Sequence, residues 1–193
     1  MIMRQDTQTD ILYKIPVPTE FDGVDDYIDT GIKLFNVADD WTIYFAADIS
    51  HSAEQTGNNI PVFHCIYEAN PWPGIAFQGG NEKAYAGKYN GGDWTTRVVT
   101  RDETYYQGCI VCENKFVKHI YDKQTSASEI RELTVNNAPA FNENANKATL
   151  LLGCYQDSGG MKGRFWKGTF YNFIVYNRVL YEEEINKLFN EKG

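Results

Sequence analysis

Alternation of apolar and polar positions dominates the chain. Trp41, Ile43, Phe45, Ala47 and Ile49 are apolar at every second position, with Thr42, Tyr44 and Asp48 between them. A period of two predicts a strand with one face on a core and the other on solvent. The same reading predicts strands at 19–22, 25–29, 60–66, 74–78, 83–89, 95–100, 106–113, 116–121, 131–135, 148–155 and 164–176. Turn-forming runs separate them, among them Asp22-Gly23, Asn90-Gly91-Gly92-Asp93, Glu113-Asn114-Lys115 and Asp157-Ser158-Gly159-Gly160. Many short strands with close turns predict an all-β sandwich or barrel. In 164–176 the parity changes: Trp166 and Phe170 share one, Phe173 and Val175 the other. One extra residue near Tyr171-Asn172, a β-bulge, accounts for the change.

One helix is predicted, at the end. Tyr181, Ile185, Leu188 and Phe189 form an apolar stripe, and Glu182, Glu183 and Glu184 fill the first turn, where the helix dipole favours acids. Residues 1–14 read as a polar tail or linker, and 15–193 as one domain without repeats.

Two segments carry a family resemblance. The first is Phe21-Asp22-Gly23-Val24-Asp25-Asp26-Tyr27-Ile28-Asp29, followed by Trp41-Thr42-Ile43-Tyr44-Phe45. The second runs from Leu152-Gly153 through Phe165-Trp166-Lys167-Gly168 to Val175-Tyr176-Asn177-Arg178-Val179-Leu180 and Glu183-Glu184-Ile185. Together they resemble the opening and closing strands of laminin G-like, concanavalin A-like domains. The resemblance implies an antiparallel two-sheet jelly-roll sandwich with a short C-terminal helix. It also implies that the first strand lies beside the last. Tyr181 stands where the family usually has Ser or a similar cap, so a weakly capped helix is expected.

Composition narrows the function. Lys plus Arg is 18 and Asp plus Glu is 26, a net charge of −8. That balance argues against nucleic acid as the main partner, because phosphate binding needs a basic footprint. The start of the chain does not read as a signal peptide, and no stretch approaches the roughly 20 apolar residues of a membrane span. The four cysteines are Cys65, Cys109, Cys112 and Cys154. Cys109 and Cys112 form a C-x-x-C within a strand, where residues three apart face opposite ways. Free core thiols are therefore expected.

Catalytic patterns are missing. Glycoside hydrolases of this fold resemble one another in placing two or three acids alternately on one strand, and retaining hydrolysis needs carboxyls about 5–5.5 Å apart. Asp102-Glu103 and Asp25-Asp26 are adjacent instead. His51, His64 and His119 stand apart from any nucleophile motif. Asp22, Asp25 and Asp26, with Asp157 in the loop before the last strand, are candidate calcium ligands, since hard cations take oxygen donors on turns. The bland reading is that these acids make turns.

Aromatic content is high, at 15%, with 13 Tyr, 11 Phe and 4 Trp. Trp41 and Trp166 lie in strong strand patterns and are expected in the core. Sugars are held by rings against their CH faces and by amides and carboxylates on their hydroxyls. Trp72, between prolines, and Tyr85, Tyr89, Asn90, Asp93 and Trp94 combine these groups. They are the candidate carbohydrate-binding residues. The reading is a non-enzymatic recognition module for a glycan or surface partner. The resemblance implies a phage tail, virion or bacterial surface setting. A ligand-free assembly domain of a virion is the alternative, and a glycoside hydrolase with an unrecognised site the third.

Overall fold

The computed structural model describes residues 10–49, 60–66, 74–79, 83–90, 93–100, 105–124, 130–134, 145–157 and 159–191, with backbone alone at 78–79, 83–90, 93–100 and 124. Two antiparallel sheets pack face to face. The first contains β1 (Ile11–Lys14), β15 (Lys167–Tyr176), β4 (Trp41–Asp48), β9 (Tyr105–Glu113), β10 (Phe116–Gln124) and β11 (Arg131–Thr134), in that order, and β2 (Thr19–Asp22) pairs with the start of β15. The second runs β3 (Ile28–Asp29), β12 (Leu151–Leu152), β5 (Ile60–Ile66), β6 (Gly74–Gly79), β7 (Lys83–Asn90) and β8 (Asp93–Thr100). A small hairpin, β13 (Tyr155–Gln156) with β14 (Lys162–Gly163), stands apart from both. Two α-helices, α1 (Leu34–Val37) and α2 (Glu182–Asn190), and one 3-10 turn at Ala145–Lys147 complete the described elements. The all-β sandwich and the pairing of the opening strands with the last follow the sequence reading.

The interior is a lattice of rings. Phe45 lies 5.1 Å from Phe63 and 5.0 Å from Phe77, and Phe63 lies 5.6 Å from Phe173. These contacts join the two sheets at separations favourable for aromatic pairs. Trp41 and Trp166 are buried among them. The expected bulge is present: Phe170 pairs with Ala47 and Asn172 with Ala46, leaving Tyr171 as the extra residue. Trp166, Phe170, Phe173 and Val175 thereby enter one core.

Two expectations are corrected. Residues 11–14 belong to the fold rather than to a tail, because β1 pairs with Ile174–Tyr176 and the Asn177 N–H donates to the Asp10 carbonyl at 3.0 Å. The outer face of β4 is not solvated. Thr42, Tyr44 and Ala46 are as buried as their inward neighbours, because α2 lies across that face. Tyr44 and Phe189 are 5.7 Å apart edge to face. The first sheet thus has a core on each side, one against the second sheet and one against α2.

The start of α2 is held without a Ser or Thr cap. The Tyr181 N–H donates to Glu184 Oε2 at 2.9 Å, and Arg178 donates to both oxygens of the same carboxylate at 2.8 and 3.0 Å. Cys109 packs beneath α2, while Cys112 packs between the sheets. All four thiols are free and buried, as the strand placement of the C-x-x-C implies. Burial pushes the Cys65 thiol up to about 12.

Candidate binding site

Phe63 and Cys65 of β5 and Leu152 of β12 belong to the inter-sheet core. Strand alternation therefore sets His64, Ile66 and Leu151 on the opposite face of the second sheet. There they form the floor of a cavity of about 240 Å³. Lys147 and Thr149 form one wall, and Gln156 and Asp157 of the β13–β14 hairpin form another. The hairpin is short and sharply turned. Asp157 Oδ1 accepts from the N–H groups of Gly159 and Met161 at 2.9 and 2.8 Å, which fixes the rim.

Cations and rings gather around this cavity. The Tyr155 ring lies 5.2 Å from the His64 ring, and the Arg164 guanidinium sits 4.5 Å over Tyr155. Lys162 Nζ donates to Gln156 Oε1 and lies 3.8 Å from Asp29 Oδ2. Lys147 stands on the wall itself. The protein is acidic overall, yet a cation lines this cavity, and two more stand one residue behind it, Lys162 through Gln156 and Arg164 through Tyr155.

Trp72 lies outside the described residues. Tyr85, Tyr89 and Asn90 lie on β7, and Asp93 and Trp94 on β8. Tyr89 is in register with Trp94 and Asn90 with Asp93 at the end of the hairpin, while Tyr85 pairs with Val98 and Gln78. Backbone register also ties them to the cavity. Ile66 pairs with Gly74, Gly74 with Tyr89, and Tyr89 with Trp94. The floor residue Ile66 and the two aromatic positions thus share one row across four strands.

Of the four acids expected to hold calcium, Asp22, Asp25 and Asp26 come together, each offering an oxygen within 4.8 Å of the others. All three are exposed. Oxygen donors of this kind suit a hard cation. Two of them also hold their own loop: Asp22 Oδ1 accepts from the Val24 N–H at 2.7 Å, and Asp26 Oδ2 from the Asp22 N–H at 3.1 Å. The Val24 hydrogen bond holds the Asp22 carboxyl below its ordinary range. Asp157 is not in this group; its carboxylate serves the turn beside the cavity.

Sequence reasoning did not single out Lys147, Thr149, Tyr155, Gln156 or Arg164, and it found no motif around His64. They lie on separate segments whose meeting depends on the sandwich, and none carries a local motif.

No protein-family model matches this sequence, and no curated protein does. Solved structures do. The CBM40 domain of the Ruminococcus gnavus IT-sialidase bound to α2,3-sialyllactose is 13% identical, with a TM-score of 0.63 over 92% of this chain and 98% of that one. The same domain bound to α2,6-sialyllactose gives a TM-score of 0.64 at 12% identity, over 92% and 98% of the two chains. The fold is a jelly-roll sandwich. A leech intramolecular trans-sialidase also matches, with a TM-score of 0.61 and 13% identity over 95% of this chain, which spans 28% of that enzyme.

Proposed function

We propose that this chain is a non-catalytic carbohydrate-recognition module, and that the cavity beneath the β13–β14 hairpin receives the negatively charged terminal sugar of a glycan. The observation that carries the reading is the cavity itself, with Lys147 on its wall and Lys162 bonded to the wall residue Gln156. Its 240 Å³ is below the about 300–1,000 Å³ that takes a drug-sized ligand, so it suits one sugar ring. His64, Thr149 and Gln156 supply donors and acceptors for hydroxyls. Lys147, Lys162 and Arg164 supply positive charge for a carboxylate. The fold comparison supports the same reading. The chain matches nearly the whole of a sialyllactose-bound binding domain, but only 28% of a trans-sialidase. The motifs at 21–29 and 165–185 support the finer assignment to the laminin G-like, concanavalin A-like group and a phage or bacterial surface setting.

Titration calorimetry with 3′-sialyllactose, 6′-sialyllactose and lactose tests the proposal. Binding of the sialylated sugars and not of lactose is expected. Thr149→Trp fills the cavity from a partly exposed wall position and should abolish that binding without lowering the melting temperature. Unimpaired binding in this variant, or none in the parent, overturns the reading. Equal affinities in calcium and in a chelator separate the glycan site from the acidic loop at Asp22–Asp26.

A further inference from the structure

Ile66 lines the cavity, and a row of paired residues leads away from it. It continues through Gly74 on β6 to Tyr89 on β7 and Trp94 on β8. Three steps between neighbouring strands cover about 14 Å, at roughly 4.8 Å each, which is longer than a single sugar ring. Gly74 brings no side chain to the row. A Cβ there would lie 2.2 Å from the Cys65 carbonyl oxygen and 2.7 Å from Ile66 Cα, so the position cannot carry one without displacing the backbone. The row therefore joins the cavity to a tyrosine and a tryptophan position across a step with no side chain of its own. Asn90 and Asp93, the next pair along the two strands, fall on the opposite face of the sheet by alternation and are not part of the row. Tyrosine and tryptophan are the residue types that sugar CH faces pack against.

We infer that the site is bipartite. The cavity takes the terminal charged sugar, and the Tyr89–Trp94 pair takes the following sugars of the same chain. The ligand class is accordingly an oligosaccharide with an acidic non-reducing end, not a free acidic monosaccharide. This inference rests on the cavity reading above and extends it to a second subsite.

The test compares N-acetylneuraminic acid with the trisaccharide 3′-sialyllactose by calorimetry, in the parent protein and in Trp94→Ala, Tyr89→Ala and Trp94→Phe. The parent should bind the trisaccharide at least tenfold more tightly than the monosaccharide. Trp94→Ala and Tyr89→Ala should bring the trisaccharide down to the monosaccharide level and leave monosaccharide affinity unchanged. Trp94→Phe, which keeps a ring, should retain most of the gain. Equal affinities of the two sugars in the parent overturn the second subsite alone. So does a trisaccharide gain that survives both alanine variants. An alanine variant that weakens both sugars equally also overturns it, because the ring then acts through the fold. Failure of both sugars to bind the parent overturns the cavity reading as well.

Discussion

The Tyr44 hydroxyl donates to the Leu188 carbonyl oxygen at 3.1 Å and accepts from Gln107 Nε2 at 2.7 Å. A phenol on β4 thus joins an amide on β9 to the last turns of α2. Burial raises the phenol well above its ordinary range, so it remains a donor at neutral pH.

Tyr44→Phe keeps the ring against Phe189 and removes only the hydroxyl. The buried Gln107 amide then loses its acceptor, which costs about 1–3 kcal/mol. Urea unfolding should show a lower midpoint at unchanged slope. A midpoint equal to the parent's would show that the hydroxyl carries no net stability.

Glu184 gives stability a defined acid limb. Burial raises its carboxyl, but the Arg178 hydrogen bonds and the Tyr181 N–H lower it more, and its affinity for protons falls below the ordinary range. A depressed folded pKa contributes stability that is complete above the unfolded value of about 4.3 and is lost as pH falls through the folded value. Glu184→Gln should cost about 1.5–3 kcal/mol at neutral pH, the range for hydrogen bonds to charged groups. The gap between parent and variant should close in acid, below pH about 4. A gap of constant size from pH 7 to pH 3 would contradict the assignment.

Gly153 sits at φ 78°, and a Cβ there would come within 2.4 Å of the Phe21 ring. Gly160 has a similar φ of 85° but open space around it. Gly160→Ala should cost only the left-handed backbone penalty, about 1–2 kcal/mol. Gly153→Ala adds overpacking against Phe21, for about 2–5 kcal/mol in all. The ordering of the two unfolding midpoints is the measurement, and a reversed order would falsify the steric argument.

The thiols should be inert in the native protein. Burial pushes Cys154 up to about 11 and Cys65 up to about 12, and a thiolate is the reactive form. A thiol-reactive chromogen at pH 8 should find four equivalents in denaturant and none on the same timescale in buffer. Rapid native labelling of any thiol would reveal a local opening that the fold does not show.

Local pattern made some of this legible. The alternation at 41–49, the parity break at Tyr171-Asn172 and the stripe of α2 each follow from the spacing of a few neighbours. What spacing along one strand cannot say is what covers its second face. Tyr44 reads as an outward polar position until Phe189, far along the chain, is laid across it. The cavity was hidden for the same reason. His64, Thr149 and Gln156 are ordinary residues separately, and only the pairing of β12 with β5 brings their segments to one face. Tyr89 and Trp94 were visible because they are rings beside turn residues; their tie to Ile66 is a matter of strand order alone.

The placement of β1 and α2 on the first sheet has a practical consequence for presentation. The Asp10 end and the Glu191 end of the described chain both belong to that side of the sandwich, and the cavity opens on the other. A bead, tether or neighbouring domain joined near either end therefore anchors the molecule by its back. The surface that bears the cavity is left pointing away from the support, and attachment does not compete with it for the same space.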